Sequence, residues 1–136
     1  MSVKASVLIV DDEKYIRDIL SRIVAREGYK TETAEDGAEA FEKVREGDFD
    51  FVISDINMPN LDGIELLKKI KEHDQNILVL LITSKAGKYS ADDILKAGAD
   101  FFITKPFKNA EIAKTLDALN TKRVRRQQKE PKPAAI

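Results

Sequence analysis

Four apolar runs in this chain end on residues able to hold a hard cation or contact a phosphoryl group. Phe51-Val52-Ile53-Ser54 leads into Asp55, which is followed by Asn57-Met58-Pro59 and then Asp62-Gly63. Val7-Leu8-Ile9-Val10 leads into Asp11 and Asp12. The run 77–82 ends at Thr83, and the run 101–104 ends at Lys105, just before Pro106. Carboxylates with no histidine or cysteine nearby select hard cations, and a few of them with room for water and a phosphate suit Mg²⁺. Such a cation also solves an electrostatic problem, because three neighbouring acids raise one another's pKa unless a positive charge offsets them. Lys105 is a compact ammonium that can pair with Asp55 at rest and with a phosphoryl oxygen afterwards. Thr83 can donate its hydroxyl to the same group. Each residue has a plainer reading. Asp11 and Asp12 can cap a helix, Asp12 especially; Asp55 can simply end a strand; Thr83 can be an ordinary β-branched strand residue; Lys105 can be solvated. Four strand ends delivering these types together outweigh the plain readings taken singly.

The elements that would position them alternate along the chain. Continuous apolar runs of this length read as strands buried on both faces. Residues 7–10, 31–34, 51–55, 77–83 and 101–104 are predicted strands, with 77–83 the most apolar and expected at the centre. Between and after them, helical spacing gathers Ile16, Ile19, Leu20, Ile23 and Val24, then Ala40, Phe41 and Val44, then Ile64, Leu67 and Ile70. A fourth, shorter helix is expected before Gly98, and a fifth from Asn109 carrying Ile112, Leu116 and Leu119. Asp36 with Glu39, and Asp62 with Glu65, have capping-box spacing; Ser90 with Asp93 opens the fourth helix, and Gly28 closes the first. Strict alternation implies right-handed crossovers and a parallel sheet with five helices spread over both faces. The predicted fold is flavodoxin-like, strand order 2-1-3-4-5. That order makes the first and third strands neighbours and brings Asp11, Asp12 and Asp55 to one crevice, flanked by Thr83 and Lys105.

Asp11-Asp12, Asp55 with Met58-Pro59 and Asp62-Gly63, Thr83-Ser84, and Lys105-Pro106-Phe107 together resemble the receiver domain of two-component response regulators, over about residues 5–120. The resemblance implies that Asp55 is the phosphoacceptor, supplied by a sensor histidine kinase or phosphotransfer protein. It implies Mg²⁺ held by Asp11, Asp12, Asp55 and the backbone carbonyl of Asn57, with Thr83 and Lys105 on the phosphoryl oxygens. Phe102 matches the switching aromatic of the family. Asn57 and Lys85, two residues past Asp55 and Thr83, match positions that tune the lifetime of the phosphorylated state. Signalling is then expected on the face made by the fourth helix, the last strand and the fifth helix, toward a downstream protein. One departure is Ser84, where the family commonly has Ala or Gly; the larger side chain narrows access to the site. Met58 is read as packing and His73 as a surface histidine.

The bulk properties fit one domain of 136 residues, 43% hydrophobic and 35% charged, with no cysteine. No apolar stretch approaches a membrane span and no signal-peptide pattern is visible, so a cytoplasmic protein is expected. Residues 121–136 carry a net +5, leaving −6 for the first 120. They are expected to form a basic extension of the fifth helix and a Pro-containing tail or linker after a receiver spanning 1–120. No DNA-binding or catalytic domain follows residue 120, and both a stand-alone receiver and part of a multidomain regulator are compatible with the sequence. Nucleic-acid contact is left open, since six cations without aromatics decide nothing. Two other readings compete with a phosphoacceptor switch that is not itself a classical enzyme. An aspartate-nucleophile phosphatase of the haloacid dehalogenase type would need a second acid two residues after Asp55, where Asn57 stands. A receiver-like module that is never phosphorylated would have no use for the complete set of residues.

Overall fold

Apolar runs bounded by polar residues build five parallel strands, each followed by a helix. The computed structural model describes residues 3–84 and 87–129. In chain order the elements are β1 (Ser6–Val10), α1 (Lys14–Arg26), β2 (Lys30–Ala34), α2 (Gly37–Glu46), β3 (Phe51–Asp55), α3 (Gly63–His73), β4 (Leu78–Ser84), α4 (Ala91–Lys96), β5 (Phe101–Lys105) and α5 (Asn109–Lys129). The sheet order is β2-β1-β3-β4-β5, the flavodoxin-like order expected. The central strand is β3 rather than the more apolar β4. Apolarity marks strands with neighbours on both sides, and β1, β3 and β4 all qualify, so it cannot pick out the middle one.

Two apolar layers sandwich the sheet. Leu8, Val10, Val52, Val79 and Leu81 point toward α2, α3 and α4, where they meet Ala40, Val44, Leu66, Leu67, Ile70 and Ile94. Val7, Ile9, Phe51, Ile53, Leu80, Ile82 and Ile103 point the other way, onto Leu20 and Val24 of α1 and Ile112 and Leu116 of α5. Burial of both faces explains why β1 and β3 read as unbroken apolar runs. Strand β5 is an edge strand, and its Phe101 remains 46% exposed.

Register carries the chemistry to one end. Val10 pairs with Ser54, Asp55 with Ile82, Thr83 with Thr104 and Ser84 with Lys105. The strand ends therefore finish level, at the carboxyl edge where open α/β sheets build sites. Helix starts hold the intervening loops. Asp62 and Glu65 form a full capping box at α3, as do Ser90 and Asp93 at α4. At α2 only half of the expected box forms: Asp36 Oδ1 accepts from the Glu39 N–H at 2.8 Å, while the Glu39 carboxylate lies 3.6 Å from Lys43 instead. At α1 neither acid caps the helix as the plain reading of Asp12 and Asp11 expected: the N-cap is Glu13, with no side-chain cap, and Asp11 Oδ1 instead accepts from the Glu13 N–H at 2.9 Å in the turn before the helix. Gly28 ends α1 with φ +100°, as its position predicts.

The Asp62-Gly63 pair has a steric reason. A Cβ built on Gly63 would lie 2.5 Å from the Asp55 carbonyl oxygen and 2.7 Å from Ile56 Cα. Both are backbone atoms that cannot swing away, and the Gly63 N–H donates to the Ile56 carbonyl at 2.9 Å. Gly63→Ala should therefore destabilise the fold by about 3 kcal/mol through overpacking at the end of β3. The urea midpoint measures this; a variant as stable as the parent would show that the close approach is not a constraint.

Candidate functional site

Asp55 ends β3 at 5% exposure. Each of its oxygens has a donor. Lys105 Nζ, from the end of β5, donates to Oδ2 at 2.7 Å, and the backbone N–H of Asn57 donates to Oδ1 at 3.1 Å. Its carbonyl accepts the Ser54 hydroxyl at 2.9 Å. Asp11, just past β1, is 1% exposed; Asp12 beside it is exposed. Asp11, Asp12 and Asp55 each bring a carboxylate oxygen to within 4.8 Å of the others, a group able to hold a metal ion. Asp11 Oδ2 is buried with no hydrogen-bond partner. A buried carboxylate oxygen without a donor is costly in a folded protein unless a cation completes it. The all-oxygen donor set fits a hard cation such as Mg²⁺.

The electrostatics follow from this crowding. Desolvation raises the pKa of Asp11 from 3.8 to about 6, with the charges of Asp55 and Asp12 adding to it and the Glu13 N–H and Lys105 opposing it. For Lys105, burial alone would favour the neutral amine, but the hydrogen bond and charge of Asp55 outweigh it and the pKa is raised. Lys105 is held as a cation against Asp55, and its peptide bond to Pro106 is cis.

Thr83 is 6% exposed and its hydroxyl donates to the Ser84 carbonyl at 3.3 Å, so at rest it is turned to its own strand. Phe102 is half-buried against the layer formed with α2, α3 and α4, and pairs in register with Leu81, two residues before Thr83. Strand alternation therefore puts Thr83 and Phe102 on the same face of the sheet. Asn57 is exposed in the β3–α3 loop, Met58 is buried packing, and His73 is exposed at the end of α3 with its ring edge-on to Phe41. Ser84 is half-buried at the end of β4; Lys85 lies outside the described residues.

Sequence patterning missed several contributors. Arg17, on α1, donates from Nη1 to the Asp11 carbonyl at 2.8 Å. Tyr89 donates its hydroxyl to Asp62 Oδ2 at 2.8 Å, tying the segment before α4 to the start of α3. A polar residue on a helix gives no sequence signal that its partner is a loop carbonyl. Two cavities of about 400 Å³ lie at the opposite edge of the sheet, lined by Asp50, Asn76, Leu78, Asp100 and Arg123 among others. Asp50 and Asp100 there are tied in ion pairs with Arg123 and Lys71, so the reactive constellation is at the carboxyl edge.

Asp11 sets a pH signature. Its folded pKa lies above its unfolded value, so the stability it contributes is present below about pH 4 and lost as pH rises through about 6. At neutral pH the metal-free fold therefore carries an unfavourable buried charge. Asp11→Asn should stabilise the metal-free protein by about 2 kcal/mol at pH 7.5, an advantage that shrinks as pH is lowered toward 4.5. Urea denaturation in chelator at both pH values measures it, and an advantage that grew on acidification would contradict the assignment. A divalent cation held by these acids would in turn be bound more weakly as pH drops below about 6, where a proton occupies Asp11.

Comparison with known proteins agrees with this geometry. The family model described as response regulator receiver domain matches residues 7–117. A chemotaxis protein CheY of Halobacterium salinarum is 40% identical over 114 residues, covering 84% of this chain and 92% of that protein. Chemotaxis protein CheY-3 of Vibrio cholerae is 37% identical over 116 residues, covering 83% and 89%. The crystal structure of a CheY-like receiver domain protein from Methanospirillum hungatei superposes with a TM-score of 0.85 at 28% identity, covering 92% of this chain and 99% of that one. With its acids, hydroxyl and lysine at the strand ends of the same fold, the chain belongs to the response regulator receiver domain family.

Proposed function

We propose that Asp55 accepts a phosphoryl group from the phosphohistidine of a sensor kinase or phosphotransfer protein, with Mg²⁺ held by Asp11, Asp12, Asp55 and the Asn57 carbonyl. The observation that carries this reading is Asp55 itself, buried, bonded to Lys105 at 2.7 Å and grouped with two further acids. A bound Mg²⁺ would neutralise the carboxylates and the phosphoryl oxygens so that the anions can meet. An Asp55 carboxylate oxygen forms the new bond to phosphorus as the phosphorus–nitrogen bond of the donor breaks, and the departing imidazole keeps the electron pair and takes up a proton. Lys105 is hydrogen-bonded to the acid beforehand and passes to a phosphoryl oxygen afterwards. Thr83 turns from the Ser84 carbonyl to the same group. The space it vacates lies on the face of the sheet that carries Phe102, and a turn of that ring repacks the α4-β5-α5 surface toward a downstream partner. Leu95 and Phe101, exposed at 50% and 46%, give that surface apolar character.

The phosphatase alternative is disfavoured because Asn57 offers an exposed amide and no acid–base group. On this reading the chain is a switch that catalyses only its own phosphorylation and dephosphorylation, with Asn57 and Lys85 bordering the water path. The receiver spans residues 1–120 and the basic segment 121–136 extends it. Among the described residues no helix is long and apolar enough to cross a membrane, and we place the switch in the cytoplasm beside its kinase. The basic segment leaves nucleic acid open as a further partner.

Acetyl phosphate with Mg²⁺ should add one phosphoryl group to the wild-type chain and none to Asp55→Ala or in excess chelator, as read by intact mass. Undiminished labelling of that variant would reject Asp55. Lys105→Ala should keep Mg²⁺ binding within about threefold, because lysine is no metal ligand, yet lose the change in hydrogen exchange across residues 87–107 on phosphate-mimic binding. Normal exchange changes in this variant would remove Lys105 from the switch.

A further inference from the structure

Asp11 is fixed at three points. Its N–H donates to the Ala34 carbonyl at 3.3 Å, its Oδ1 accepts from the Glu13 N–H at 2.9 Å, and its carbonyl accepts from Arg17 Nη1 at 2.8 Å. Only Oδ2 is left, buried and without a partner. The Arg17 side chain is 11% exposed, and Nη2 stands 3.7 Å from Glu35 Oε1, on a side chain that is 71% exposed. A guanidinium this deeply buried commonly makes its short bonds to a carboxylate, fork to fork. Here the short bond goes to a backbone carbonyl, and the carboxylate is the longer, wetter partner.

We propose that Arg17 is a positioning residue for the metal site: by holding the Asp11 peptide it sets the direction in which Oδ2 is presented. The inference rests on the Mg²⁺ reading above and deepens it. Arg17 touches neither the cation nor the phosphoryl group. It acts as outer partners of metal ligands do, by removing the freedom of the ligand to turn away. Charge and position predict opposite signs. A guanidinium near three acids repels Mg²⁺, so deleting its charge alone would tighten binding. Deleting the hold on Asp11 weakens binding.

Calorimetric titration of Mg²⁺ into the full chain at pH 8 and constant ionic strength tests this, with folding of each variant checked by its amide NMR spectrum. Arg17→Met retains most of the apolar stem and should bind Mg²⁺ roughly tenfold more weakly than wild type. Arg17→Gln, too short to reach the carbonyl, should lose as much and serves if the methionine variant does not fold. Arg17→Lys, with a single donor nitrogen on a stem of similar length, should recover part of the loss, and Glu35→Gln should bind like wild type. Unchanged or tighter binding in a folded Arg17→Met or Arg17→Gln overturns the inference while leaving the function intact. A wild-type chain that takes up no Mg²⁺ overturns both.

Discussion

Gathering three carboxylates at the end of a buried parallel sheet is the constraint on which the rest of this structure turns. The oxygens of this cluster lie within 4.8 Å of one another, and two unit charges at that limit repel by about 3 kcal/mol at an effective dielectric of roughly 20. Lys105 relieves part of this at 2.7 Å from Asp55, but one cation against three acids leaves two negative charges. That residue equals the charge of one divalent ion, and the orphaned Asp11 Oδ2 is the atom with the least local compensation. Asp12, being exposed, can leave its share to water. Asp11 cannot, and its raised pKa is the same fact expressed as a proton affinity.

A site built on repulsion needs rigid supports, and they are concentrated on one side. Strands β1 and β3 are buried on both faces, and Gly63 lets the start of α3 press against the Asp55 carbonyl. Cover is thinner around β5. It is an edge strand with exposed Phe101, α4 has six residues, and Thr83 at the end of β4 gives its hydroxyl to the Ser84 carbonyl at 3.3 Å. Rearrangement is cheapest where few buried contacts must be broken. The acids therefore sit at the ends of strands buried on both faces, Thr83 ends the equally buried β4, and Phe102, the aromatic proposed to turn, sits on the edge strand. Lys105 joins edge to interior, since it rides on β5 and bonds to β3.

Much of this was legible in the sequence for one reason: a strand buried on both faces must be apolar until it reaches the edge, so the first polar residue marks the site. That logic drew attention to the ends of β1, β3 and β4, where the structure places Asp11, Asp55 and Thr83; Lys105 ends the edge strand β5, and the strand order came from the alternation of strands and helices. It failed where two local partners compete. Asp12 looked the better cap for α1, yet the helix starts one residue later, at an N-cap Glu13 without a side-chain cap, and Asp11 holds the turn before it. Glu39 had capping-box spacing, yet it faces Lys43 one turn on. Arg17 was silent because its partner is a carbonyl, and carbonyls have no sequence identity.

The basic segment shows the same limit on a larger scale. Counted as charge, residues 121–136 are a uniform cationic tail. In the structure α5 continues unbroken to Lys129, and its cations differ in environment. Arg123 turns inward: it lies 3.4 Å from Asp50 Oδ1, places its guanidinium over the Phe51 ring and is 15% exposed. Asp50 Oδ2 in turn accepts the Ser6 N–H at the start of β1. Lys122, Arg125 and Arg126 face solvent. One arginine thus fastens the extension to the base of β1 and β3, strands that also carry Asp11 and Asp55 at their other ends. Helix α5 is thus held along its length: Ile112 and Leu116 pack in one cluster with Leu20 and Val24 of α1, and Arg123 fastens the far part to Asp50, so Lys122, Arg125 and Arg126 are presented from a helix anchored to the core.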